Sequence, residues 1–274
     1  MQAVPNFPAA DGDVARAREA VLEAGRIAMC FFRKKHERWE KGPGQIVTEA
    51  DIAIDRYLAT ALRAGNEGDG WLSEETEDDP TRLGRSRVWV VDPIDGTRSY
   101  ADGVPEFSIS VALLVDDVPA LGFVYNPATE EMFEARAGSG TLLNGRPVHV
   151  APRTTLAGAK IVCSSTENRR RHFADVLPSV ELSTIGSLAY KLALVAAGRF
   201  DGYISWRRTN DWDIAAAVLL LAESGATLTD AEGMSISLNR PTPQHRGILA
   251  AAPDLHRALL GATDSARQKA LAGA

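Results

Sequence analysis

The chain has 274 residues, 45% of them hydrophobic and 24% charged, proportions of an ordinary globular protein long enough for one large domain or two packed halves. Its formal charge of −6 argues against a general binder of nucleic-acid polymers, which needs a basic footprint. Its two cysteines, Cys30 and Cys163, stand far apart, which argues against a disulfide scaffold, fits a reducing compartment and reads as two small buried hydrophobes. The five histidines show no metal-ligand spacing. No basic segment leads into an apolar run at the start, and the longest apolar stretch, Ile214 to Ala222, is far short of a bilayer span. A cytoplasmic protein without a membrane partner is expected.

In chain order, Val14, Ala17, Val21, Ala24 and Ala28 recur at helical spacing and predict a helix over 13–32, capped by Asp11 or Asp13. The polar stretch 34–45, with Gly42, Pro43 and Gly44, reads as a loop. Thr48 followed by Asp51 has the form of a capping pair, ahead of a helix whose face is Ile54, Leu58 and Leu62. An extended piece ends at Leu72-Ser73-Glu74-Glu75, and 76–86 reads as a solvated loop. Val88 to Val91 is a short buried strand that runs into Asp92-Pro93-Ile94-Asp95-Gly96-Thr97. Strands follow at 107–115, 119–125 and 131–135, then a hairpin turn at Asn144-Gly145.

The second half changes character. Strands are predicted at 160–163, 180–184, 200–205 and 248–251, and helices at 167–176, 186–197, 212–224 and 255–260, with Gly198 and Gly225 closing two of them. Strands first and alternation afterwards give an α/β (α+β) layered architecture. The expected division is an N-terminal half, 1–150, and a C-terminal half, 151–274, sharing one folding unit.

Glu74, Asp92, Asp95 and Asp213 each stand at the end of an apolar strand or the start of an apolar helix. Clustered there, they repel one another and raise their own pKa values. Divalent cations remove that cost, and all-oxygen donors select magnesium, manganese or calcium over zinc. Phosphoryl transfer is a common use of such a cluster. Gly96 lets backbone N–H groups approach an anion, and the Thr97 hydroxyl is suited to orienting a water. Taken singly, each piece has a plainer reading: 92–97 as a tight turn, Glu74-Glu75 as a solvated pair, Asp213 as a helix N-cap residue. Their coincidence favours the site. An EF-hand fails on spacing, because Ile94 and Gly96 occupy the alternate positions. A D-x-D-G-T nucleophile motif fails too, because Pro93 stands two before Asp95 and Asp92, three before, rotates off that strand face.

Trp89-Val90-Val91-Asp92-Pro93-Ile94-Asp95-Gly96-Thr97 resembles the signature of the inositol monophosphatase superfamily. Supporting matches are Val47-Thr48-Glu49-Ala50-Asp51, Ser73-Glu74-Glu75, and Trp212-Asp213-Ile214-Ala215-Ala216 with Ala222-Glu223-Ser224-Gly225, so the resemblance runs from about Val14 to Leu260. It implies a layered αβαβα sandwich and a lithium-sensitive, magnesium-dependent phosphomonoesterase with two or three cations, manganese being a possible substitute. A small-molecule phosphate ester as substrate and a homodimer are implied as well. By the same resemblance, Glu74, Asp92 and the Ile94 carbonyl hold one cation, and Asp92, Asp95 and Asp213 a second. Glu75 helps with a third through water. Glu74 and Thr97 orient the attacking water, Asp51 supports Thr97, and the Gly96 and Thr97 N–H groups bind phosphate. Ser187 and Lys191 are substrate neighbours by their place in the family, and Lys41 loosely matches a basic residue near the third cation.

One departure bears on substrate. Where family members carry a glutamate for inositol hydroxyls, seven residues before the last metal aspartate, this chain has Trp206, followed by Arg207 and Arg208. An aromatic ring with arginines suits a base or a second phosphate, and the run Arg169, Arg170, Arg171 is a further candidate. Inositol 1-phosphate therefore competes with adenosine 3′,5′-bisphosphate, and histidinol phosphate and fructose 1,6-bisphosphate are further options. A binding or regulatory homologue without activity is the alternative from another class, and the intact acidic set argues against it.

Overall fold

The computed structural model describes residues 10–34, 38–42, 45–169 and 173–272. Helix α1 (Asp11–Phe31) precedes a hairpin of β1 (Arg38–Gly42) and β2 (Gln45–Thr48), then α2 (Glu49–Arg63), β3 (Gly70–Ser73), β4 (Arg87–Asp95) and the short α3 (Thr97–Ala101). Strands β5 (Ser108–Val115), β6 (Val118–Asn126), β7 (Glu131–Arg136), β8 (Thr141–Leu143) and β9 (Arg146–Val148) form a meander. The chain continues through β10 (Lys160–Cys163), α4 (Ser165–Arg169), β11 (Glu181–Thr184), α5 (Leu188–Ala196), β12 (Gly202–Asn210) and α6 (Asp211–Glu223). It ends with β13 (Thr227–Thr229), β14 (Gln244–Ala251) and α7 (Pro253–Ala272).

Two sheets organise these elements. Seven strands lie in the order β3-β4-β5-β6-β7-β8-β9, and five in the order β11-β10-β12-β14-β13. Helices α1 and α2 cover the outer face of the first sheet, α5 and α6 fill the space between the sheets, and α7 covers the outer face of the second. This is an αβαβα sandwich. Burial along β4 follows from that position: Trp89 and Val91 join the α1/α2 core, while Val88 and Val90 join the core around α5 and α6. A strand covered on both faces reads as a continuous apolar run, as it does here. The helix stripes match: α1 buries Ala17, Val21, Ala24 and Ala28, and α2 buries Ile54, Leu58 and Leu62. Helix α6, between two sheets, is apolar nearly all round.

Several expectations need correction. The stretch read as a loop over 34–45 contains β1, which pairs antiparallel with β2, Trp39 opposite Val47 and Gly42 opposite Gln45. The stretch 76–86 is not simply solvated: Arg82 is 1% exposed. Its guanidinium is held by Asp78 at 2.6 and 2.8 Å, by Asn239 Oδ1 at 2.6 Å and by the Arg240 carbonyl at 3.0 Å. The helix expected over 167–176 is limited to α4, with residues 173–176 in turns. Helix α1 starts at Asp11 behind Ala10, and neither aspartate caps it. Asp13 instead binds Arg87 at the start of β4, together with Asp69. Cys163 is buried as expected, but Cys30 is exposed on α1. No helix among the described residues is long and apolar enough to cross a membrane.

Candidate active site

The arrangement of Asp92 and Asp95 begins with an irregularity in β4. Asp92 pairs with Ser110 of β5 and Asp95 with Ser108, so three steps on one strand match two on the other. Such a bulge undoes the alternation that would turn the two aspartates to opposite faces. The expectation that Asp92 rotates away from Asp95 is thereby corrected, since Pro93-Ile94 absorbs the extra residue. Asp213 approaches from the first turn of α6, and one carboxylate oxygen from each of Asp92, Asp95 and Asp213 lies within 4.8 Å of the others.

Each carboxylate is held by the backbone that delivers it. Asp213 Oδ2 accepts from Asn210 N at 2.7 Å and Thr209 Oγ1 at 2.8 Å, so Asn210 and not Asp213 is the N-cap residue of α6, and Asp213 reaches back to it from the third helical position. Asp95 Oδ2 accepts from Ser187 Oγ and from Ala189 N, both at 2.6 Å, at the start of α5. Asp92 is 1% exposed, and neither of its oxygens has a hydrogen-bond partner among the described residues. Glu74 follows β3, its N–H donating to the Val91 carbonyl at 3.3 Å.

Thr97 completes the cluster. Gly96 has φ of 90°, and a Cβ there would lie 2.9 Å from both the Glu106 carbonyl oxygen and Ser187 N, so both conformation and space demand glycine. The Thr97 hydroxyl donates to the Ile94 carbonyl at 2.9 Å and lies 3.4 Å from Asp51 Oδ1. Asp51 Oδ2 accepts from Thr48 N at 2.8 Å and Thr48 Oγ1 at 2.6 Å, the pairing that the spacing of Thr48 and Asp51 suggests.

Burial and mutual repulsion set the electrostatics. Asp92 is pushed well above the usual carboxylate range by burial and then by Glu74, Asp95 and Asp213. Burial raises Asp95 despite its hydrogen bonds from Ser187 and Ala189. Burial, with Asp95 adding repulsion, takes Asp213 up to about 6. Burial takes Asp51 up to about 7 against the hydrogen bonds from Thr48, with Glu75 adding to the rise. Lys191, buried on α5 with Nζ 3.2 Å from the Ile185 carbonyl, is lowered by burial and supported by Asp95.

Of the other expected substrate neighbours, Trp206, Arg207 and Arg208 lie on β12. Trp206 stands edge-on to Phe173, ring centroids 4.6 Å apart, among the apolar residues under α7. Arg207 and Arg208 are exposed. Arg169 is exposed at the end of α4, while Arg170, Arg171 and the Lys41 side chain lie outside the described residues.

The pattern of the inositol monophosphatase family matches residues 12–268. The chain belongs to the inositol monophosphatase family. An inositol-1-monophosphatase of Rhizobium meliloti is 38% identical over 78% of this chain and 84% of its own. One of Synechocystis is 32% identical over 82% and 81%. Among solved structures, the extragenic suppressor protein suhB of Bartonella henselae aligns with a TM-score of 0.82 at 27% identity, over 92% of this chain and 98% of its own. An IMPase of Thermotoga maritima aligns with a TM-score of 0.82 at 27% identity over 93% and 98%. This inositol monophosphatase family chain is therefore a phosphatase of the class acting on small phosphate esters.

The donor set fits the divalent cations on which the family depends. Two partnerless buried oxygens on Asp92, facing further carboxylates, are costly without positive charge, and hard oxygens are the matching ligands. Sequence reasoning missed the residues that hold this set in place. Asp55, one turn after Asp51 on α2, accepts from Ser73 Oγ at 2.5 Å and Thr76 Oγ1 at 2.6 Å, pinning both ends of the Glu74-Glu75 turn. Ser108 lies 3.0 Å from Ser187 Oγ beneath Asp95. An aspartate four residues beyond Asp51 on an otherwise apolar face was the available signal for Asp55.

Proposed function

We propose that the chain is a magnesium-dependent phosphomonoesterase that hydrolyses a small soluble phosphate ester, with inositol 1-phosphate as the leading substrate. The observation carrying this reading is the buried, partnerless Asp92 carboxylate inside an acidic cluster beside Thr97. Glu74, Asp92 and the Ile94 carbonyl would hold one magnesium ion, Asp92, Asp95 and Asp213 a second, and Glu75 would assist a third. When bound, the cations supply Lewis acidity and offset the charge of the phosphoryl group and the attacking oxygen. Ile94 O already accepts from Thr97, and a carbonyl has a second lone pair for a cation.

The protein's own part is to orient. Thr97 and Glu74 direct a water in line with the phosphorus atom. Asp51, within reach of the Thr97 hydroxyl and titrating near neutrality, is placed to hold a proton through that hydroxyl. The Gly96 and Thr97 N–H groups face the phosphate oxygens, and Ser187, Lys191 and Arg207 form the substrate side. Trp206 contributes through its packing on Phe173. That packing gives a prediction of its own: Trp206→Ala loses a half-buried ring contact and is expected to cost about 2 kcal/mol of stability in urea melts.

A two-part measurement tests the reading. Hydrolysis of inositol 1-phosphate should need magnesium, fall with lithium at about millimolar concentration, and be weak or absent with calcium, whose larger and looser shell tolerates irregular geometry. Full turnover in excess chelator rejects it. Turnover of adenosine 3′,5′-bisphosphate in preference to inositol 1-phosphate would keep the chemistry and change the substrate, a reading favoured by Lys191 and Arg207 lying near enough for their charges to interact.

A further inference from the structure

Strand β12 breaks its pairing with β14 beside the site. Ser205 lies opposite Ile248 and Arg208 opposite Arg246, so Trp206 and Arg207 together oppose Gly247. Gly247 makes room for them: its φ is 70°, and a Cβ there would lie 2.6 Å from the Ser205 carbonyl oxygen and 3.0 Å from Trp206 Cα. A bulge of this kind takes N–H groups out of the ladder, and they must be satisfied elsewhere.

One side chain takes them up. Glu167 on α4 is 2% exposed. Its Oε1 accepts from Trp206 N at 2.7 Å, and its Oε2 accepts from Ser205 Oγ at 2.7 Å and from Ser164 Oγ at 2.7 Å. Ser205 Oγ in turn accepts from Arg207 N at 3.2 Å. All three groups on the carboxylate are donors, a set that an acceptor-only side chain matches and that charge strengthens. The two bulged residues then diverge. Trp206 packs outward on Phe173, while Arg207 is exposed and stands two residues before Thr209 on the same strand. Beyond the bulge the same strand supplies Thr209, which holds Asp213.

We propose that Glu167 is a positioning residue for substrate recognition: its buried carboxylate holds the β12 bulge that sets Arg207 at the rim of the carboxylate cluster, and so governs affinity for the part of the substrate beyond the scissile phosphate. The proposal rests on the phosphatase reading above and extends it to a residue that touches neither cation nor phosphate.

The test compares two esters on the magnesium-loaded protein. On this reading inositol 1-phosphate presents ring hydroxyls to the rim, whereas p-nitrophenyl phosphate carries a ring without hydroxyls. Glu167→Ala should raise KM for inositol 1-phosphate about tenfold with kcat within about twofold. KM for p-nitrophenyl phosphate and inhibition by inorganic phosphate should stay as in the parent. Glu167→Gln should recover most of the loss, since its amide oxygen can meet Trp206 N while the serine hydroxyls rotate to accept. Ser205→Ala, which removes the link to Arg207 N and one of the three donors on Glu167, is the milder variant should Glu167→Ala not fold, and should raise KM about threefold in the same substrate-selective way. Equal losses on both esters, or an unchanged KM for inositol 1-phosphate in Ser205→Ala alongside an unchanged or unfolded Glu167→Ala, overturn the role of Glu167 and leave the phosphatase reading standing. A parent protein that cleaves neither ester overturns both.

Discussion

Asp92→Asn is expected to reduce hydrolysis of inositol 1-phosphate by at least about 10³-fold at saturating magnesium while leaving the fold intact, because the several kcal/mol that cations contribute depends on their being held. Asp92 is clustered with Asp95 and Asp213 and repelled by Glu74 as well, and both its oxygens are buried without hydrogen-bond partners among the described residues. An amide keeps the shape and removes the charge. Stability without cations should move the other way. In the folded protein Asp51 is raised to about 7 and Asp213 to about 6, with Asp92 and Asp95 also raised, from an ordinary value of 3.8. The native state thus retains protons that the unfolded chain has released. The associated stability is complete below about pH 4 and is lost as pH rises through the folded values, between about 4 and 7. Metal-free parent protein should therefore lose stability across that window. Asp92→Asn should lose less and melt a few degrees higher than the parent in chelator at pH 7.5. Added magnesium should stabilise the parent and leave the variant nearly unmoved. Thermal melts at pH 5 and 7.5, with and without magnesium, together with an activity assay, check all three. A variant that keeps most of its rate would mean that the cations are held elsewhere.

Much of this site was legible because its chemistry is local in sequence. The run from Trp89 to Thr97 contains the strand, two carboxylates, the glycine and the hydroxyl, and the apolar spacing of α1, α2 and α6 marks the layers that bury them. What escaped was set by pairing between distant segments. Nothing in Asp92-Pro93-Ile94-Asp95 alone reveals that β5 absorbs the extra residue and returns both aspartates to one face; that depends on Ser108 and Ser110 as partners. Arg82 reads as a surface arginine until Asn239 and Arg240 close over it from a loop more than a hundred and fifty residues away. Trp206 likewise gives no sign in the sequence of Phe173, which packs against its ring. Polar residues in polar stretches give no hydrophobic period, so long-range partners that bury them leave little trace in the sequence.

Thr97→Ala is expected to lower kcat about 10²-fold with little change in magnesium affinity or KM, since positioned proton-transfer groups contribute about that much. The distinction from Asp92 lies in what each side chain touches. The Thr97 hydroxyl reaches the Ile94 carbonyl and the Asp51 carboxylate, whereas the clustered carboxylates of Asp92, Asp95 and Asp213 do not depend on it. Losing the hydroxyl leaves Asp51 with both bonds from Thr48, so α2 keeps its start and the cluster keeps its walls. What is lost is the hydroxyl contact with Asp51, through which the proposed mechanism passes a water's proton. Thr97→Ser should recover most of kcat, because it restores the hydroxyl and omits only a methyl group. Calorimetric titration with magnesium separates binding from turnover, and the kcat of the two variants measures the hydroxyl alone. An alanine variant with parental kcat and raised KM would make Thr97 a phosphate-binding group and assign the orientation of water to Glu74. Parallel losses in magnesium affinity and kcat would instead make the hydroxyl part of the cation's own coordination.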